Sequence, residues 1–420
     1  MKNRRLFNIF IIVFIDLLGF GLILPLLPFY ADEFGASPFV VGLLTAIYAA
    51  AQLLGAPLLG RLSDRFGRRP ILIISIFGTF LGFLLFGVAG PVGQKLAFLL
   101  GLPVNQMILA VLFLSRALDG FTGGNISVAQ AYITDVTTDE NRAKGLGLVG
   151  AAFGLGFVFG PAMGGFLSSY GFAVPAFAAA GLSAINLIMV ILWLPESLPK
   201  EERDVSVLDA KPRVSLSALF QAIKRPKVGP ILSVSFFYGL AFALFSTMFS
   251  LFAQYRLDLD ARETGYVLAY VGVLIALVQG VGVGPISKRF TDRWIILSST
   301  ILLTVSLSVW AFTGSVALLL IIMIPLAGAS GILNTVLRSS LTKVVDKEEV
   351  GGILGISSSF ESLTRVIAPS LGGLLLGSLG TWAPGVIGAV IMLGVVVLIR
   401  ATIFKGSDDL QAQTAEDLPS

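Results

Sequence analysis

The chain of 420 residues contains no cysteine and no histidine, and only 13% of its residues are charged. The absence of cysteine excludes disulfide bonds and thiol chemistry. Without cysteine and histidine the usual clusters of metal ligands cannot form, so we expect neither a metal site nor a cofactor. Because histidine is missing, a group that exchanges protons near neutral pH has to be a carboxylate in a desolvated setting.

The scarcity of charge accompanies a high apolar content, since 55% of the residues are hydrophobic and the mean hydropathy is +0.90. A soluble protein carries roughly 25% charged residues. Runs of ~20 apolar residues are long enough to cross a ~30 Å hydrocarbon core as helices. The composition therefore predicts an all-α membrane protein that lies in the lipid bilayer and binds no nucleic acid. The sequence has no G-x-x-x-x-G-K-[ST] loop for ATP and no soluble segment long enough for a catalytic domain, so we expect no enzymatic activity.

Twelve apolar segments follow one another along the chain. We predict membrane spans at residues 6–30, 39–59, 70–89, 107–134, 143–168, 172–194, 228–254, 264–286, 294–313, 315–337, 351–377 and 381–403. If the spans alternate from a cytoplasmic N-terminus, only Lys95, Arg256 and Arg262 among the basic residues lie on the external side. This bias satisfies the positive-inside rule and predicts that both termini are cytoplasmic.

The spans form two sets of six with a polar segment between them. We predict an N-terminal six-helix bundle over 1–194, a basic cytoplasmic linker over 195–227 with a short helix near 216–223, a second bundle over 228–405 and a disordered tail over 406–420. A constant offset of 208 residues pairs Gly120 with Gly328 and Pro161 with Pro369. Duplicated bundles of this kind are used to build a midplane site with two alternative gates.

The segment 60–70, between the second and third spans, reads G-R-L-S-D-R-F-G-R-R-P. The positive-inside rule explains its arginines but not its two glycines and its aspartate. The pattern G-x-x-x-D-R-x-G-R-R in this place resembles the signature loop of the major facilitator superfamily of secondary transporters. The resemblance implies twelve transmembrane helices in two pseudo-symmetric six-helix bundles. It also implies a cytoplasmic gate made of Gly60, Asp64, Arg65, Gly67, Arg68, Arg69 and Asp135.

Within this gate the resemblance implies two contacts. Arg68 would meet Asp135 at the end of span 4, and Asp64 would face the start of span 11. A carboxylate is favoured at the positive end of a helix dipole, which gives the second contact a physical reason. The alternative for Asp135 is a simple charge at a helix end.

Asp16 lies in the middle of the first span, within the pattern D-x-x-G-x-G-x-x-x-P-x-x-P. A charge at this depth costs at least ~2.5–3.5 kcal/mol, so we expect it to face a cavity or a partner. The pattern resembles the first helix of drug/proton antiporters in the superfamily. The alternative is a carboxylate that reaches the membrane interface.

Arg116 lies in the fourth span, within L-x-x-x-R-x-x-x-G-x-x-G-G. This resembles the arginine motif of helix 4, which in proton-coupled members is tied to proton transfer. Arginine stays charged and stabilises a nearby carboxylate, and Asp16 is the natural long-range partner. Asp119 is three residues further on the same helical face and is a local alternative, in which case the pair is structural. Asp16, Arg116 and Asp119 are the candidate proton-coupling residues.

Other polar residues inside the spans extend the candidate site. Glu361 and Arg365 stand at i and i+4, so they are expected to pair, either as a second site for a proton or charged substrate or as a structural pair. The candidate substrate-cavity residues are Tyr48, Gln52, Asn125, Gln130, Tyr238 and Asn334.

The fifth span is rich in glycine. Residues 156, 160 and 164 fall on one helical face, which predicts close backbone packing. We expect Gly280, Gly282 and Gly284 of span 8 to supply the facing surface. The span resembles the superfamily's antiporter motif, which is associated with export. The motif positions are Gly150, Gly154, Gly160, Pro161, Gly164 and Gly165. The alternative is generic packing of small residues.

The resemblance is closest to tetracycline-type and multidrug proton antiporters. It implies a monomeric secondary transporter of the bacterial inner membrane, which exports a lipophilic or amphiphilic compound in exchange for protons by alternating access. One alternative is a lipid or glycolipid flippase, which requires a tall lateral opening. Another is a receptor or scaffold that transports nothing, in which the buried charges pair away from any water path.

Overall fold

The computed structural model describes residues 2–203, 216–346 and 349–404. These residues form seventeen α-helices and contain no strand. The helices are α1 (Lys2–Ile23), α2 (Leu27–Glu33), α3 (Pro38–Phe66), α4 (Arg68–Gly87), α5 (Ala89–Leu100), α6 (Val104–Thr122), α7 (Asn125–Val136), α8 (Asp139–Ser168), α9 (Ala173–Trp193), α10 (Leu216–Lys224), α11 (Gly229–Leu257), α12 (Ala261–Leu277), α13 (Val283–Arg289), α14 (Asp292–Ala311), α15 (Val316–Lys343), α16 (Val350–Leu379) and α17 (Ala383–Ile399). Short π-helical turns follow α12 at Val278–Gly282 and α17 at Arg400–Phe404.

Twelve helical segments of the described residues are long and apolar enough to cross a membrane. Each overlaps one predicted span, so the prediction of a multi-pass all-α membrane protein is confirmed. The largest extension is in the second span, which continues to Phe66 instead of ending at 59. Polar residues there continue the helix beyond the apolar run, and Gly67 ends it with a φ of 103°, a conformation that favours glycine.

Three of the spans are interrupted by local sequence. The first breaks into α1 and α2 around Pro25, which has no backbone N–H to donate. The fourth breaks into α6 and α7 at Gly123 and Gly124, where helix propensity is low. The eighth contains the π-helical turn between α12 and α13, which includes two glycines. A helix break inside the membrane leaves backbone N–H and C=O groups without helical partners. Such breaks are tolerated where neighbouring protein groups or a water-filled cavity satisfy these backbone groups.

Two compact units divide the described chain. The first contains residues 2–203 together with 249–272. Its main apolar core joins α1, α4, α7, α8 and α9. The second unit contains 216–248, 273–346 and 349–404. In it, an apolar cluster around Leu244 and Ala368 joins α11 to α16.

The structure describes part of the predicted linker and none of the predicted tail. Residues 204–215 of the predicted linker and the predicted tail 406–420 are not among the described residues. The short helix predicted near 216–223 is present as α10.

The segment 90–106, between the third and fourth spans, is largely helical. Most of it is α5, which follows α4 and runs antiparallel to α6. Gly82 of α4 lies close to Asp119 of α6, and Gly93 of α5 lies close to Ile108 of α6. The helices α4 and α5 therefore pack along α6 in the same register.

Candidate functional sites

Asp16 lies in α1 at the wall of a cavity of about 10 Å³ inside the first unit. Asn125 and six apolar residues from α1, α4 and α7 complete the lining. A volume of ~10–15 Å³ is the smallest that holds one water molecule. Asp16 Oδ1 is buried and has no hydrogen-bond partner among the described atoms. The site therefore combines a buried carboxylate oxygen with room for a single water.

The break in span 4 explains why this place suits a negative charge. Asn125 is the first residue of α7, and its side-chain amide lies against the Asp16 carboxylate. The first turn of a helix has N–H groups without intrahelical partners and carries the positive end of the helix dipole. An ionised carboxylate is stabilised at such a discontinuous helix within a membrane protein.

Arg116 pairs locally. Its Nη1 lies 3.1 Å from Asp119 Oδ2, and both side chains are only 3% exposed. The guanidinium also lies over the rings of Phe83 and Phe86, 5.6 and 4.9 Å from the two centroids. The carboxylate and the aromatic faces together offset the cost of burying the arginine. These contacts favour the local alternative, in which Asp119 rather than Asp16 neutralises Arg116.

Two of the polar span residues of the first unit bridge helices. Gln52 Nε2 donates to the Tyr48 hydroxyl at 3.2 Å and to the Gly123 carbonyl at 3.0 Å. Tyr48 also stacks on Phe20 with ring centroids 5.2 Å apart. Gln52 therefore satisfies a carbonyl that the break in span 4 frees, while the predicted cavity residue Gln130 is exposed on α7.

The candidate residues of the second unit behave differently. Tyr238 is buried and donates its hydroxyl to the Ser330 carbonyl at 3.1 Å, which ties α11 to α15. Asn334 is half-buried on α15.

Glu361 pairs with Arg338, so the prediction that it pairs with Arg365 is wrong. Glu361 accepts hydrogen bonds from Arg338 Nη2 at both carboxylate oxygens, at 3.0 and 2.9 Å. Arg338 comes from the neighbouring helix α15, so a contact between helices replaces the contact along α16. Arg365 is exposed. The described protein covers the observed pair only partly, since the side chains of Arg338 and Glu361 are 54% and 27% exposed.

The signature loop is organised by Arg68, whose side chain is 9% exposed. Its Nε donates to Asp135 Oδ2 at 3.0 Å and its Nη1 donates to Ser63 Oγ at 2.8 Å. Nη1 also binds Asp64 at the end of α3. The structure thus places Arg68 against Asp135 as the resemblance implies, and it shows Asp64 on the same guanidinium.

The remaining loop residues have separate contacts. The Arg65 guanidinium lies 5.2 Å from the centroid of the Phe66 ring. Arg69 Nη2 donates to the Ile191 carbonyl at 2.5 Å. The Gly60 carbonyl accepts from Ser63 Oγ at 2.6 Å.

Glu196 is an important residue of this cluster that the sequence did not reveal. Its Oε1 accepts from the backbone N–H of Arg68 at 2.9 Å, and its Oε2 accepts from that of Arg69 at 3.3 Å. A carboxylate at this position caps the first turn of α4 and interacts favourably with the helix dipole. Its sequence signal is weak, because Glu196 lies 128 residues after Arg68 in a polar segment.

The glycine face of span 5 packs closely, but against another helix than predicted. A Cβ atom on Gly160 would lie 2.6 Å from Gly21 Cα, and one on Gly156 would lie 3.0 Å from Leu17 Cβ. The facing surface is therefore α1. The prediction that Gly280, Gly282 and Gly284 supply the surface facing these glycines is wrong, because α1 occupies that surface.

The other motif glycines of α8 fall into two sets. Gly164 also lies against α1, at Leu22, whereas Gly165 lies against the first turn of α12, at Ala261 and Arg262. Gly150 and Gly154 have no described atom within 4 Å of an added Cβ. The motif therefore mixes packing positions with open ones.

A further contact of the first unit lies at the end of α2. Asp32 accepts from Gln254 Nε2 at 2.8 Å and from the Tyr255 hydroxyl at 2.6 Å. The two donors belong to the last turns of α11. The sequence did not identify Asp32 as a site residue.

The twelve spans, with ionisable side chains such as Asp16, Arg116 and Asp119 inside them, define a polytopic membrane protein with polar sites within the bilayer. Comparison with known proteins narrows this class. The sequence pattern of the Major Facilitator Superfamily matches residues 9–283 and 231–417. The chain is 31% identical over 385 residues to the class C tetracycline resistance protein of Escherichia coli, covering 91% of this chain and 92% of that one. It is 30% identical to solute carrier family 22 member 18 of mouse over 364 residues, 84% of this chain and 85% of that one.

Among solved structures, the human organic anion transporter MFSD10 superposes with a TM-score of 0.68 at 22% identity, covering 95% of this chain and 99% of that chain. The chain belongs to the Major Facilitator Superfamily and has its fold. It is a transporter of small molecules, as its relatives are, and not an enzyme.

Proposed function

We propose that this protein exports a lipophilic or amphiphilic organic compound in exchange for protons by alternating access. The observation that carries the proposal is the Asp16 cavity, where a buried carboxylate oxygen without a hydrogen-bond partner has room for one water. A carboxylate in such a place binds and releases a proton when water reaches it from one side or the other. The tetracycline resistance relatives support a substrate of this class.

The buried pair of Arg116 and Asp119 has a second role in this proposal. Its partners already neutralise each other at 3.1 Å, so it holds no net charge while Asp16 is ionised. Asp16 is then the carrier of the proton, and Asp119 exchanges a proton only if its carboxylate rotates away from the Arg116 guanidinium on the same helix, α6.

The signature loop serves as the cytoplasmic gate in this proposal. Arg68 holds Asp64 and Asp135 together at the ends of α3 and α7. We place both termini in the cytoplasm of a bacterial cell, the chain in the inner membrane, and the functional unit as a monomer. The division of the chain into an N-terminal bundle, a linker and a C-terminal bundle belongs to the same proposal.

Asp16→Asn tests the proposal, because asparagine keeps the shape of the side chain and cannot carry the proton. In proteoliposomes with an imposed pH gradient, we expect pH-driven transport of tetracycline to be lost in Asp16→Asn. Counterflow exchange without a gradient should continue, since it needs no net proton movement. Asp258→Asn is the control, because Asp258 is exposed and its φ of 54° also suits asparagine. Undiminished pH-driven transport by Asp16→Asn would remove Asp16 from this role.

A further inference from the structure

Arg365 lies near the centre of the eleventh membrane span. It is halfway along the 30 residues of α16, Val350–Leu379, and its side chain is exposed. At 1.5 Å per residue, each end of the helix is ~22 Å away, which is more than half of a ~30 Å hydrocarbon core. At this depth an arginine that faces lipid is costly, and such residues face a partner or water inside the protein.

The surface of α16 has two chemically different faces. Ser358, Glu361 and Arg365 follow one another at spacings of three and four residues, so they share a polar face. Ile367 and Leu374, which are 39% and 52% exposed, lie seven residues apart and form an apolar face. Because a helix has 3.6 residues per turn, positions 365 and 367 point to opposite sides. The apolar face suits lipid, so the polar face with Arg365 is the one that suits water.

The charges on the polar side do not cancel. Glu361 accepts from Arg338 Nη2 at 3.0 and 2.9 Å, so its negative charge is already compensated. Arg365 has neither an ion pair nor a hydrogen bond with any residue that the structure describes. Two arginines and one glutamate therefore leave one net positive charge halfway across the membrane. The phosphates of lipid headgroups lie outside the hydrocarbon core and do not supply the missing anion at this depth.

Aromatic surface flanks this charge. A Cβ atom on Gly239 of α11 would lie 3.3 Å from Thr364 Oγ1, so α11 packs beside the residue that precedes Arg365. One turn earlier, the ring of Phe236 packs edge-to-face on Phe360, with centroids 5.7 Å apart. Phe236 is half-buried, which leaves part of its side chain accessible. A positive charge next to apolar rings suits a compound that has both an anionic group and an apolar body.

We propose that Arg365 binds the carboxylate of an amphiphilic organic anion, which is the compound that the protein exports. The planar guanidinium presents N–H donors that match the two oxygens of a carboxylate. The direction of transport in this inference rests on the proposed function. Binding to Arg365 requires no proton exchange, so a binding experiment succeeds or fails independently of the transport test on Asp16.

Single cysteines test whether the polar face meets water, since the chain has no native cysteine. The protein is placed in phosphatidylcholine nanodiscs, where both membrane sides are accessible, and treated with the charged reagent 2-sulfonatoethyl methanethiosulfonate. We expect Arg365→Cys to react many-fold faster than Ile367→Cys, because the reagent attacks thiols that water reaches. Equal rates for the two variants would overturn the placement of Arg365 on a water-facing surface.

A matched pair of compounds tests the anionic group. Naproxen is a lipophilic carboxylate, and its primary amide has nearly the same shape without the charge. In equilibrium dialysis against the same nanodiscs, we expect the unmodified protein to bind the carboxylate at least ~10-fold more tightly than the amide, as for a charge-assisted hydrogen bond. Arg365→Gln should bring this ratio close to one by weakening carboxylate binding. Its unchanged affinity for the amide shows that the variant is folded.

Arg289→Gln is the matched control, since it removes an exposed arginine of the same unit at the end of α13. It should keep the preference of the unmodified protein for the carboxylate. Arg365→Lys retains the positive charge and should keep part of that preference. Persistence of the full preference in Arg365→Gln would overturn the proposal, and so would failure of the unmodified protein to bind the carboxylate more tightly than the amide.

Discussion

The ion pair Arg116–Asp119, within α6, and the ion pair Arg338–Glu361, between α15 and α16, differ in how far the protein buries them. Arg116 and Asp119 are each 3% exposed, whereas Arg338 and Glu361 are 54% and 27% exposed. Burial makes a charge that loses its partner costly, while an exposed charge is stabilised by water. The contribution of an ion pair to the stability of this protein therefore depends on how deeply the fold buries it.

We predict that Arg116→Ala destabilises the protein by ~3–5 kcal/mol, because Asp119 is left buried without its partner. The double variant Arg116→Ala/Asp119→Ala should lose less than the sum of the two single variants. Unfolding in detergent, followed by intrinsic fluorescence, measures these differences.

Arg338→Ala is the comparison for this prediction. It removes a less buried contact, in which one nitrogen, Nη2, binds both carboxylate oxygens of Glu361, so we expect a change of ~0–1 kcal/mol. A loss of stability in Arg338→Ala as large as that in Arg116→Ala would contradict the role given to burial.

Close helix packing in the first unit depends on glycines, which have no side chain to separate the helices. On α8, Gly156, Gly160 and Gly164 each approach the backbone or Cβ atoms of α1. Where helices meet in a membrane, small residues allow the backbones to come close and to gain dispersion contacts. Gly154 on the same helix meets nothing within 4 Å among the described atoms.

We predict opposite signs for the same substitution on α8. Gly154→Ala should be neutral or stabilise the protein by up to ~1 kcal/mol, because alanine has the higher helix propensity. Gly160→Ala should destabilise it by ~1–3 kcal/mol, because the added methyl would lie 2.6 Å from Gly21 Cα. Thermal unfolding of the two variants in detergent checks this, and equal melting temperatures would disprove tight packing at Gly160.

The sequence repeat carries an inversion of charge between its halves. In the first unit Arg68 is held by Asp64 and Asp135. Offsets of 224 and 208 residues place Lys288, Asp292 and Lys343 at the equivalent positions, and Asp292 pairs with Lys343 at 2.7 Å. Each half thus keeps an ion pair at this place with the signs exchanged. The basic residues of the second loop also increase the positive charge on that side of the membrane.

The proposed orientation predicts which loops a membrane-impermeant reagent reaches. The chain has no native cysteine, so single cysteines can be labelled without background. In spheroplasts, Gln94→Cys on α5 should react with an impermeant maleimide. Ser287→Cys, between the eighth and ninth spans, should react only after permeabilisation. Labelling of Ser287→Cys in intact spheroplasts would show that the proposed orientation is wrong.

The sequence alone predicted the features that depend on local pattern. Long apolar runs determine twelve spans, because an unpaired backbone in lipid has to form helices. The loop motif also predicted that Arg68 meets Asp135. It did not predict Glu196, because a cap contributed by a distant segment has no periodic signal.

Partners between helices were decided by the tertiary structure. Arg338 rather than Arg365 binds Glu361, α1 rather than span 8 covers Gly160, and Asp119 neutralises Arg116. Gly120 and Gly328 are equivalent in the sequence repeat, yet a Cβ atom on Gly120 would meet the Tyr48 backbone, whereas one on Gly328 would meet no described atom within 4 Å. Hydrophobicity and helix propensity are properties of each segment, so the chain carries them by itself. The choice of neighbour depends on packing many side chains at once, and only the folded molecule determines it.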